Sequence, residues 1–158
     1  MFARYLLAVA GVAIAVPALA VQVTREVEVH AAAAEVWKSI GSFCAIGDWY
    51  PGIASCTETV KDGATYRKLV TSDGAEFLEK YVETYSDMAY GYAIIESPLP
   101  VKNYEATLKV KDLGETSLVE WTGTFEADGA PEKDVVETVG DIFQVGLDAL
   151  KVQFATTH

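Results

Sequence analysis

Histidine and cysteine are scarce in this chain, and their scarcity removes much metal and cofactor chemistry at the outset. His30 and His158 are the two histidines, and Cys44 and Cys56 the two cysteines, among 158 residues. Neither histidine lies near a cysteine in sequence, so zinc-type ligand spacing is missing and no metal site is assigned. A phosphate-cradling glycine motif and a Ser/His/Asp set in recognisable context are missing too, so no cofactor is expected and no catalytic residue is named. Basic side chains are also few, 12 against 23 acidic, for a formal charge of −11. That sign argues against nucleic acid and anionic membranes as partners. It leaves two readings, plain solubility or a basic periplasmic protein partner.

The long apolar run that is present lies at the N-terminus. Arg4 precedes Tyr5 to Val16 and then Ala18-Leu19-Ala20, the layout of a secretory signal peptide over residues 1–20 with cleavage after Ala20. The alternative is an uncleaved anchor, for which the run is short, since about 20 apolar residues span a bilayer. The residue directly after the cleavage site is Val21 and not a cysteine, which speaks against a lipoprotein. The expected location is the periplasm, with no stable membrane anchor after cleavage. Residues 21–158 then form one domain of 138 residues, without linker, repeat or low-complexity tract. Because the leader holds one base and no acid, the mature chain carries 23 acidic and 11 basic residues, a formal charge of −12. Export would place Cys44 and Cys56 where disulfides persist. They are either bridged, at a gain of about 3 kcal/mol on the chain-entropy model, or two buried free thiols.

Within the mature chain, Gln22 to His30 alternates with Val23, Val27 and Val29 on one face, a half-buried first strand. Short helices are predicted over Ala31–Ile40, ending at Gly41, and over Ala45–Tyr50, stopped by Pro51-Gly52. Six strands follow: Ile53–Lys61, Ala64–Thr71, Glu76–Glu83, Ala89–Glu96, Asn103–Lys111 and Ser117–Glu126. Asp62-Gly63 and Ser72-Asp73-Gly74 mark tight turns, and Ser97-Pro98-Leu99-Pro100 a loop at a sheet rim. One register places Arg67 opposite Glu79; a slip of one residue brings Lys68 there instead.

Pro131 to Phe154 reads as one long amphipathic helix, with Val135, Val139, Ile142, Phe143, Gly146, Leu147, Leu150 and Phe154 on its apolar stripe. A seven-strand sheet is roughly 30 Å across and a helix about 10–12 Å wide, so a single helix cannot cover the sheet unless it curls. The fold class is therefore α+β, a curved antiparallel sheet of about seven strands wrapped around a long C-terminal helix. The space between them is either a packed core or a ligand cavity. Gly140 and Gly146 each cost roughly 1 kcal/mol inside a helix, which suggests a bulky neighbour or ligand close to at least one of them.

This order of elements is that of the helix-grip fold, and the mature chain resembles the SRPBCC superfamily, in its START-like polyketide cyclase/dehydrase branch. The matching pieces, in order, are Val36-Trp37, Asp48-Trp49-Tyr50-Pro51, Gly63 to Arg67, Glu79-Lys80-Tyr81, Tyr90-Gly91-Tyr92, Tyr104 to Leu108 and Val119-Glu120-Trp121. The resemblance implies a hydrophobic cavity between sheet and helix, entered near the second short helix. It implies binding of a hydrophobic or aromatic small molecule or a lipid, without fixing one reaction. Carried onto this chain, the cavity residues are Trp49 and Tyr50 at the entrance, Tyr90, Tyr92, Tyr104 and Trp121 on the sheet, and Phe143, Gly146 and Leu147 on the helix. Tyr and Trp carry polar tips that need partners when buried, which fits a pocket with hydrogen-bonding positions better than a dry core. Arg67 and Glu79 are either a buried pair orienting a ligand carboxylate or carbonyl, or a rim ion pair of little effect. The leading expectation is an exported binding protein without cofactor. Two alternatives stand beside it, a cyclase/dehydrase-like enzyme using Tyr104 and Glu79, and a periplasmic accessory protein of alcohol (methanol) oxidation, as some exported members of the superfamily are.

Overall fold

The structure, a computed structural model, describes residues 19–84 and 86–155. Most of the proposed leader and His158 lie outside the described residues. The element order is β1 (Val21–Val29), α1 (Ala33–Ile40), α2 (Ile46–Trp49), β2 (Ile53–Lys61), β3 (Ala64–Thr71), β4 (Glu76–Val82), β5 (Ala89–Glu96), β6 (Val101–Asp112), β7 (Ser117–Ala127) and α3 (Glu132–Gln153). The seven strands form one sheet in the order β1-β7-β6-β5-β4-β3-β2, antiparallel at every pairing. This is the helix-grip fold, with α1 and α2 after the first strand.

Local chemistry explains the turns and ends. Asp62 and Gly63 both take positive φ, 52° and 76°, as the twist of a two-residue hairpin between β2 and β3 requires. Gly41 ends α1 for a different reason. Its φ is −76°, and a Cβ there would lie 2.5 Å from the Trp37 ring, so glycine is needed for space rather than for a left-handed turn. Pro131 caps α3 just before its first turn, and Glu132 and Asp134 sit near the positive end of the helix dipole.

Period-two alternation sets the inward face of the sheet. Val23, Val27 and Val29 of β1, Leu108 and Val110 of β6, and Val119, Trp121 and Phe125 of β7 are all buried. The helix α3 lies mainly over β1 and β7, at one side of the sheet, while α2 packs on β2 at the other. Val135, Val139, Phe143, Leu147 and Leu150 fill the space beneath α3. The inner faces of β3, β4 and β5 therefore lie between the two helical covers. Register shifts at Ile53/Ser55, Leu78/Glu79 and Lys102/Glu105 bend the sheet at this same side and in its middle.

Candidate functional site

A cavity of about 160 Å3 occupies the gap between the two covers. Its deep wall is built from Glu79 of β4, Tyr92 of β5, Tyr104 of β6, Trp121 of β7 and Val139 of α3, all buried. Its outer part is formed by half-buried side chains, among them Tyr50, Ile53, Phe77, Ile94, Leu99 and Ile142. Buried Ile46 and Leu69 complete the deep wall and half-buried Thr71 joins the outer part, so the cavity is mostly apolar, with Glu79, Tyr92 and Tyr104 as the buried polar groups.

The polar groups form two connected sets. In the first, Trp121 Nε1 donates to Tyr92 Oη at 3.0 Å, and the Tyr92 and Tyr104 hydroxyls lie 3.4 Å apart. In the second, Arg67 Nε donates to Glu79 Oε2 at 2.6 Å, and Arg67 Nη1 donates to the Phe43 carbonyl oxygen and, at 3.3 Å, to the Tyr90 hydroxyl. The guanidinium also lies over the Phe43 ring, 4.2 Å from its centroid, and 5.0 Å from that of Tyr92. Arg67 Nη2 has no hydrogen-bond partner among the described residues. Arg67 is fully buried and Glu79 is 5% exposed, so a rim ion pair is ruled out. The register that pairs Arg67 with Glu79 across β3 and β4 is the one present, whereas Lys68 points outward to Glu76 at 2.8 Å.

Burial dominates the titration of this cluster. It pushes Glu79 up, and the charge and hydrogen bond of Arg67 pull it back only in part. For Arg67 burial works against the charged form, but Glu79 and then the Tyr90 and Tyr92 hydroxyls outweigh it and hold the guanidinium protonated. Tyr90, Tyr92 and Tyr104 are all pushed up from 10.0, chiefly by burial.

Tyr50 stands at the edge of the cavity. It follows α2, its hydroxyl donates to the Ile142 carbonyl oxygen at 3.0 Å, and its ring meets Trp49 and Trp121 edge-on. A Cβ on Gly146 would come 2.7 Å from the Tyr50 ring and 3.0 Å from Trp121, so the bulky neighbour behind this glycine is Tyr50. The segment carrying Tyr50 is tied down by a disulfide between Cys44 and Cys56, and Glu58 accepts the Cys44 backbone N–H at 3.0 Å.

Comparison with known proteins supplies the family. The family described as polyketide cyclase / dehydrase and lipid transport matches residues 20–155. The chain belongs to this polyketide cyclase/dehydrase family. It is a START-like SRPBCC protein. Among solved structures, an uncharacterized protein from Bacillus thuringiensis is 34% identical with a TM-score of 0.78, the match covering 86% of this chain and 100% of that one. The protein XoxI from Bacillus cereus is also 34% identical, with a TM-score of 0.76 and coverage of 84% and 94%. A START superfamily protein from Mycobacterium smegmatis shares the fold at 18% identity, with a TM-score of 0.72 and coverage of 84% and 96%. A search of curated proteins found no match.

Within this family fold, five of the eleven residues proposed from sequence line the cavity: Tyr50, Glu79, Tyr92, Tyr104 and Trp121. The other six do not. Phe143 stacks on the far side of Trp121, with ring centroids 4.7 Å apart, and Leu147 is fully buried core. Gly146 faces Tyr50, Trp49 backs Trp121 at 5.8 Å, and Tyr90 and Arg67 stand behind Glu79 and Tyr92 as its supporting layer. The helical wall is instead Val139 and Ile142, one turn nearer the N-terminus of α3. Leu69 and Phe77 also escaped the sequence reading, although each lies two residues from a named candidate, at Arg67 and Glu79.

Proposed function

We propose that the protein binds a small, largely apolar molecule in this cavity, its one polar end placed against Glu79, Tyr92 and Tyr104. The observation that carries the reading is a mostly apolar cavity whose floor includes the buried, hydrogen-bonded Glu79, Tyr92 and Tyr104. Size narrows the class. The volume is about 160 Å3, close to the roughly 150 Å3 of an engineered protein cavity that holds benzene. Drug-sized pockets run to about 300–1,000 Å3, so a single ring fits better than a diacyl lipid or a folded polyketide chain. Native mass spectrometry of protein recovered from its own host, with a thermal-shift panel of monocyclic compounds, tests this. A bound small molecule or a raised melting temperature is expected; neither appearing contradicts the reading.

Acid–base chemistry on the bound molecule is the second reading, favoured by a Glu79 carboxyl that lines the cavity with a raised pKa. Against it, Arg67 already holds Oε2, and burial drives the tyrosines away from neutral pH. The enzyme reading expects Tyr104→Phe to abolish turnover while binding persists, and retained turnover removes Tyr104 from that role.

The binding protein is proposed to work after export. β1 begins at Val21, directly after the cleavage site read from the sequence, so processing would leave the first strand whole. The Cys44–Cys56 bridge suits an oxidising compartment. A mature chain starting at Val21 in the periplasmic fraction is the expected finding, and an uncleaved cytosolic chain contradicts it.

A further inference from the structure

The hydrogens of the cavity floor can be counted, and the count selects a ligand group. This step rests on the cavity reading above. Trp121 Nε1 gives its hydrogen to Tyr92 Oη. Between the Tyr92 and Tyr104 hydroxyls, 3.4 Å apart, only one can donate to the other. Whichever way that bond runs, one of the two hydroxyl hydrogens is left over. The same cavity is lined by Glu79, whose Oε2 is in a 2.6 Å ion pair with Arg67; an ionised carboxylate is an acceptor only, with capacity beyond that single bond. The floor therefore offers one spare donor hydrogen, from the tyrosine pair, and its anionic acceptor is Glu79. We infer that the cavity selects a neutral monocyclic compound carrying a hydroxyl group, a phenol or a ring alcohol, whose oxygen accepts from the tyrosine pair and donates to Glu79.

Competing groups fail on the same count. An ether or carbonyl accepts from the tyrosine pair but gives Glu79 nothing. A carboxylate brings a second negative charge beside Glu79 in a buried site, where like charges repel strongly. An ammonium ion could donate to Glu79, but Arg67 already balances that charge and the tyrosine hydrogen would stay unpaired. A plain hydrocarbon leaves the spare tyrosine hydrogen and the spare acceptor capacity of Glu79 unused. A site built to hydrogen-bond a hydroxyl rejects the analogue that lacks it far more strongly than a greasy pocket rejects an extra methylene.

The experiment is a calorimetric series with phenol, toluene, anisole and benzoate on the purified, disulfide-intact protein, repeated on Tyr92→Phe/Tyr104→Phe. Phenol is expected to bind at least tenfold tighter than toluene and anisole, with benzoate weaker still. In the double variant the advantage of phenol over toluene should shrink below threefold while toluene affinity stays within threefold. Toluene or anisole matching phenol, benzoate binding tightest, or an undiminished phenol preference in the double variant overturns hydroxyl selection and leaves the cavity reading standing. No binding by any of the four overturns both. If the double variant does not fold, the four compounds on the unaltered protein still decide.

Discussion

The two sides of the sheet are made by the same alternating pattern and come out differently. Under α3, the inward positions of β1 and β7 carry Val23, Val27, Val119 and Phe125, which are buried in one cluster with Phe143, Leu147 and Leu150. On β3, β4 and β5 the inward positions carry Arg67, Glu79, Tyr90 and Tyr92, and Val139 and Ile142 of α3 line the cavity with Glu79 and Tyr92. Aliphatic and phenyl side chains can pack to density because every contact is equivalent. Tyrosine, arginine and glutamate must first satisfy their polar atoms, and the geometry of those bonds holds their side chains apart. The difference teaches that the cavity is propped open by a polar layer rather than left over by poor packing.

The comparison can be broken from either side. The largest effect is expected from Phe143→Ala on the solid side. Truncating a fully buried phenylalanine costs about 3–5 kcal/mol, and urea unfolding should show it. On the open side, Glu79→Gln leaves the Arg67 charge buried without its partner, at a cost of about 3–5 kcal/mol. Replacing both members, as Arg67→Met with Glu79→Leu, should restore much of that stability yet abolish binding, which separates the role of the pair in folding from its role in the site. Next in size, Cys44→Ser with Cys56→Ser should lower stability by about 3 kcal/mol or less, measured by the same unfolding curves. Ile94→Ala, at the cavity mouth, removes a half-buried side chain beside space that already exists, and is expected to cost about 1 kcal/mol.

The last effect is nil at neutral pH. Tyr90, Tyr92 and Tyr104 have folded pKa values raised above 10.0, so their contribution is complete below pH 10 and declines as pH rises towards their folded values. Ultraviolet titration should find these phenols resisting ionisation until the protein unfolds, and ordinary titration near pH 10 for every tyrosine would refute the buried polar layer.

Much of the fold could be read from the chain because its cues are local. Asp62-Gly63 needs positive φ at both positions, and that turn set the Ile53–Lys61 and Ala64–Thr71 strands to the residue. The next turn left two registers open, and the structure holds the one that pairs Arg67 with Glu79. The site residues came from the family resemblance, which carried over Tyr92, Tyr104 and Trp121 on the sheet, where period two assigns a face directly, and Tyr50 after α2. The helical side was misplaced by one turn. An apolar stripe says which face of α3 points inward but not where along the sheet the helix sits, so Phe143 and Leu147 could not be told from Val139 and Ile142. Gly146 likewise announced a close neighbour without saying that it was Tyr50. Burial of the Arg67–Glu79 pair was hidden too, because it depends on the Phe43 carbonyl and ring closing over Arg67 from the loop between α1 and α2.

A crystal structure of the protein grown with phenol tests the central claim most directly. The account predicts ring density between Trp121 and Ile142, with the phenol oxygen within hydrogen-bond distance of Glu79 and of the Tyr92 or Tyr104 hydroxyl. A cavity closed by Tyr50 and Ile142 side chains, with the ring bound elsewhere or absent, would contradict it.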